Sequence, residues 1–137
     1  MKPHLRYLAA CLLALPIGTQ ADPMQVDRFF AVRSLEAPDQ PEIIVRISET
    51  ARANAFAKAM HVRQPVRLTS RIVQRPSAWS PAWPFYTERH RLLPIDTLVA
   101  RCSTHAPGEL ARRVAMGARI HGNAWCPAVK VVREIKP

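Results

Sequence analysis

The sequence predicts a small α+β fold, a two-layer sandwich in which helices cover one face of a sheet. Three observations predict it. Short β-branched runs alternate with two segments of helical period. The 137 residues allow a single domain. The 48% hydrophobic content is that of a globular chain and too high for a disordered one.

The first 21 residues read as a secretory leader. Lys2 and Arg6 give a positive start, 7–17 is apolar, and Thr19-Gln20-Ala21 is a small-residue cleavage site. The apolar run is about half the ~20 residues that a membrane-spanning helix needs. Leu8-Ala9-Ala10-Cys11 resembles a bacterial lipobox, with Cys11 as the alternative anchor point, but too little apolar chain precedes it. Cleavage after Ala21 leaves one exported domain, 22–137, periplasmic or secreted, with no further membrane-spanning segment. It also lowers the formal charge of +10 by two and removes one of three cysteines.

Within 22–137, residues 24–35 carry Val26, Phe29, Phe30 and Val32, a strand that ends at the Pro38-Asp39-Gln40-Pro41 turn. Residues 42–48 are short and β-branched, a second strand. Ser48 or Thr50 caps a helix running to about His61, with Ala53, Phe56, Ala57 and Met60 on one face. In 64–75, Val66, Leu68 and Ile72 oppose Arg67, Thr69 and Arg71, which predicts a half-buried strand. A proline-aromatic loop follows over 76–86. Residues 92–103 resume β character, with Glu88-Arg89-His90-Arg91 as a charged hinge before them. Pro107-Gly108-Glu109 opens a helix carrying Leu110 and Val114, which Gly122 and Asn123 stop. Residues 128–135 are the last strand. From Glu42 on, the order is βαββαβ behind one extra N-terminal strand, which fits a ferredoxin-like sandwich.

In an exported chain, Cys102 and Cys126 predict one disulfide. It closes a loop of about 25 residues and contributes roughly 3–4 kcal/mol in the chain-entropy model. The metal alternative is Cys102, His105, His121 and Cys126, two close pairs of the kind tetrahedral zinc uses. No motif calls for an organic cofactor: glycine is scarce, and neither a dinucleotide nor a Walker fingerprint is present.

Two features bear on function. Arg63, Arg67, Arg71 and Arg75 recur every four residues, so on a strand they form one cationic row with steps of about 13 Å. Such a row suits an anionic polymer or surface, or an acidic protein, and it also keeps an exposed strand soluble. Trp79, Trp83, Phe85 and Tyr86 crowd the loop beside Pro76, Pro81 and Pro84. They offer hot-spot area to a partner or fold back over the sheet. These features point to a non-enzymatic binding or assembly protein of the bacterial cell envelope, of the kind a secretion, pilus or conjugation apparatus uses. A small secreted hydrolase acting on phosphodiesters, with His90 and Glu88 as acid-base groups, is the alternative. An exported toxin subunit or inhibitor is a third.

Overall fold

The computed structural model describes residues 26–136, so the segment expected to be a leader, 1–21, lies outside the described residues. Six strands form one sheet: β1 (Arg28–Ser34), β2 (Ile43–Ile47), β3 (Val66–Val73), β4 (Tyr86–Pro94), β5 (Ala124–Trp125) and β6 (Ala128–Ile135). Helix α1 (Thr50–Val62) joins β2 to β3, and α2 (Pro107–Ala115) lies between β4 and β5. The sheet order is β2-β1-β6-β3-β4, with β5 also on β3. All strand pairs are antiparallel. A single parallel bridge, Ser103 to Trp125, adds to them. The α+β class and the disulfide are as the sequence predicts.

The ferredoxin-like arrangement does not carry over. A split βαβ unit needs the strands flanking a helix to run parallel. Here β2 and β3 flank α1 but are separated by β1 and β6, and the three antiparallel steps make them antiparallel to each other. The extra strand, β1, is the reason: it pairs with both β2 and β6 and so stands between them.

Alternation builds the core. Ile43, Val45 and Ile47 of β2 point inward between exposed Arg46 and partly covered Ile44. Phe30 and Val32 of β1, Leu68 and Ile72 of β3, and Val129 and Val131 of β6 join them. Helix α1 lays Ala53 and Phe56 on this face, with Ala57 and Met60 at its margin. Its N-cap is Glu49, and neither Ser48 nor Thr50 makes a side-chain cap. It ends in a left-handed Arg63, φ 56°, whose N–H donates to the Ala59 carbonyl at 3.1 Å. Arg63 is therefore a helix cap and does not extend the cationic row along β3.

The last strand has a break that the sequence explains. Ala124 and Trp125 pair with Arg71 and Ser70, and Ala128 and Val129 pair with Arg67 and Val66, so β5 and β6 share one line along β3. Pro127 sits in the gap because it has no N–H to offer a ladder, and its carbonyl accepts from Leu68 N–H at 3.0 Å. Beyond it, β6 crosses to β1. The segment at Ser103 lies beside Trp125 on the other side, and Cys102–Cys126, with Cα atoms 5.8 Å apart, fastens it there.

Two further expectations need correction. Strand β4 starts at Tyr86, so the charged 88–91 segment is strand rather than hinge, and 95–103 is mostly loop. Gly117 rather than Gly122 ends α2. With φ 70° it forms a closing turn, in which Gly117 N–H bonds the Val114 carbonyl and Ala118 N–H bonds that of Arg113, both at 3.0 Å. At the other end of α2, Gly108 N–H donates to Gln40 Oε1 at 2.8 Å, so the turn after β1 supplies the missing cap.

Candidate functional site

The edge strands β2 and β4 come together, and the proline-aromatic loop ties the gap between them. Ile44 N–H donates to Ser80 Oγ at 3.3 Å, and Trp83 Nε1–H to the Glu42 carbonyl at 3.0 Å. A cleft of about 300 Å³ remains at the start of α1. Arg46 and Ser48 reach it from the end of β2, Glu49 and Arg52 from α1, Trp79 from the loop, and the 86–90 segment from β4.

One side of the cleft is formed by two rings held between two cations, the second of which, Arg75, stands just outside it. The Arg46 guanidinium lies 4.0 Å above the Trp79 ring, and Trp79 meets Tyr86 edge-on at 5.0 Å. Arg75 donates to Tyr86 Oη at 3.0 Å and stands 5.7 Å from the ring centre. Proline rigidity on either side of Trp79 holds the loop in reach of β4. The Trp79 indole N–H is shielded and has no acceptor among the described residues. Such a group costs about 1–3 kcal/mol.

A bulge positions His90. Thr69 faces Arg91 and Arg71 faces Glu88, so Arg89 and His90 together oppose Ser70, and Arg89 takes φ 53°. The extra residue turns His90 inward beside Thr87, with Thr87 Oγ1 and His90 Nε2 2.7 Å apart. His90 is 3% exposed and packs edge-on to Phe56 at 6.2 Å. Burial, and after it the positive field of Arg52, pushes the imidazole down to about 4, so it is neutral at ordinary pH. Glu88 instead pairs with Arg71 across the strands at 3.7 Å.

The residues singled out in the sequence are divided by the fold. Trp83 and Phe85 are core, at 6% and 0% exposure, and present nothing to a partner. Phe85 packs edge-on to Trp125. Trp79 and Tyr86 are half-buried at the cleft. Of the cationic row, Arg67 is occupied by two backbone carbonyls, those of Cys126 and Ile95, each at 3.0 Å. Arg71 and Arg75 remain exposed on the β4 side. Cys102 and Cys126 are joined to each other, which removes the thiolates that the zinc alternative requires.

Arg46 and Arg52 do not stand out in the sequence, and Arg89 reads there only as part of a charged hinge. Arg46 is legible as the outward residue of an alternating strand, but nothing in linear spacing brings it to Trp79, thirty-odd positions away. Arg89 depends on the bulge. Within the described residues no helix is long and apolar enough to cross a membrane. No protein-family model matches the chain, and no curated protein or solved structure does either.

Proposed function

We propose that this is a non-enzymatic binding or assembly protein of the bacterial cell envelope, and that it docks an acidic protein partner at the cleft between β2 and β4. The observation that carries the reading is the Arg46–Trp79–Tyr86–Arg75 stack. Trp, Tyr and Arg are the residue types that dominate binding hot spots, and here they form one partly desolvated rim. Arg52 and Arg89 line the same cleft with Glu49 and Glu88; Arg52 pairs with Glu49 at 3.2 Å, and exposed Arg89 leaves the rim with an excess of cations that steers an anionic surface toward it. The leader-like first 21 residues and the disulfide both accord with export into an oxidising compartment.

One observation favours the hydrolase alternative: Glu88, His90 and three arginines line a common cleft. The state of His90 weighs against it. A neutral imidazole held near 4 and engaged by Thr87 is a weak base far from its best working range. The test is capture from an envelope extract by the immobilised protein. Replacing Arg46 and Trp79 together by alanine is expected to lower the yield of the specific partner by more than about thirty-fold, the scale of a hot spot. The same capture by the double variant as by the wild type would sink the reading. A phosphodiesterase activity that disappears in His90→Gln would favour the alternative.

A further inference from the structure

A second basic surface shares no lining residue with the cleft. A groove of about 480 Å³ runs along the disulfide-tied segment, lined by Arg101, Ser103, Thr104 and His105, and by Arg113 and Arg119 from α2 and beyond. Past Arg119 and Ile120 it continues into a hollow of about 450 Å³ beside Arg71, Gln74 and Asn123. Among the described residues no carboxylate lines either part. Arg113 is shared with Glu109, whose carboxylate lies 3.1 Å away. Arg101 is held at φ 56° directly before Cys102, so the disulfide fixes the backbone that carries it.

Exposed apolar side chains stand close in the chain to the groove's arginines. Leu98 is 97% exposed and stands three residues before Arg101. Met116 is 72% exposed, three residues from Arg113 on one side and from Arg119 on the other. Ile95 and Val99 add smaller exposed area on the Leu98 loop, and Asp96 is that loop's one carboxylate. Three guanidinium groups and two hydroxyls suit phosphate oxygens. A nucleic acid would leave Leu98 and Met116 unused, and no Phe, Tyr or Trp lines the groove to give bases a stacking platform. Apolar tips flanking cations are the pattern of a protein that rests in the headgroup layer.

We propose that this face seats on an anionic phospholipid membrane, with lipid phosphates in the groove between Arg101, Arg113 and Arg119, and with Leu98 and Met116 reaching the acyl boundary. This surface is independent of the partner cleft. Flotation of the full chain with vesicles of mixed phosphatidylglycerol and phosphatidylcholine tests it. The leader is common to all variants, so differences between them report the folded domain. Arg101→Gln with Arg119→Gln is expected to weaken partitioning about five-fold per arginine. Leu98→Asp is expected to weaken it at least as much, and exposed Lys58→Gln on α1 to leave it unchanged. Soluble glycerophosphate should not compete. Equal flotation of the Arg101/Arg119 and Leu98 variants with the wild type overturns the proposal. So does competition by glycerophosphate, or binding of a short DNA that needs the arginines but not Leu98. A thermal melt of each variant guards against misfolding, and Leu98, being almost fully exposed, supplies a variant that the fold tolerates.

Discussion

At the level of single residues, the bulge at Arg89 and His90 decides what the imidazole can do. Without the extra residue, strict alternation would have put His90 on the face of Glu88, as an acid-base pair requires. With it, His90 joins Thr87 inside and Glu88 turns to Arg71. The buried, neutral imidazole has a thermodynamic consequence. Because its folded value of about 4 lies below the ordinary 6.5, the unfolded chain binds the proton first, and stability falls as pH drops from about 6.5 to 4. The loss approaches about 3 kcal/mol. Urea denaturation at pH 7.5 and pH 4.5 is expected to show it, and His90→Gln to flatten this part of the profile. Glu134, held down to about 2 first by its bond to Arg28, acts in a separate window, losing its contribution only as pH falls from 4.5 toward 2. The two neighbouring tryptophans give a second contrast. Trp83→Phe breaks the bond to the Glu42 carbonyl, whereas Trp79→Phe removes an N–H without an acceptor among the described residues. Denaturant midpoints should therefore show Trp83→Phe to be the more damaging by about 1–2 kcal/mol.

Among elements, the disulfide and the α2 terminus carry the clearest expectations. Cys102–Cys126 joins positions 24 apart and fastens the Ser103 segment to β5. Reduction, or alanine at both positions, is expected to cost about 3 kcal/mol in a denaturant titration. Gly117→Ala should cost about 1 kcal/mol, since φ 70° disfavours any Cβ, while the space around it is open. Strands β2 and β3 and helix α1 are legible because their alternation or helical spacing is uninterrupted; β6 is legible from its first half, where Val129 and Val131 face in and Lys130 faces out, before its register with β1 shifts at Val132. Strand β4 was not. Its bulge breaks period 2 within Thr87-Glu88-Arg89-His90, and four charged or titratable residues in a row read as hinge. The terminus of α2 was misread because Gly117 and Gly122 carry the same local signal, and only the hydrogen bonds to Val114 and Arg113 choose between them. The site was half legible. Trp79 and Tyr86 stood out, but the cations that meet them come from β2, α1 and a bulge, a long-range pairing that no spacing encodes.

Across the described residues, two separate basic faces stand out in a chain whose formal charge is +10. One is the cleft of Arg46, Arg52 and Arg89 against aromatic rings, and the other is the groove of Arg101, Arg113 and Arg119 between exposed apolar side chains. Within these faces Arg52 pairs with Glu49 and Arg113 with Glu109, and elsewhere Arg28 is engaged with Glu134, Arg33 with Glu42, and Arg67 with two carbonyls. Together the two proposals assign the protein the task of holding its partner against a membrane. The most direct measurement is photo-crosslinking in the native cell, with a photoreactive residue placed at Arg89, at the exposed rim of the cleft. One discrete adduct with an acidic protein is expected, lost when Arg46 and Trp79 are also replaced. No adduct at Arg89, alongside a discrete protein adduct from a probe at Lys58, would contradict it.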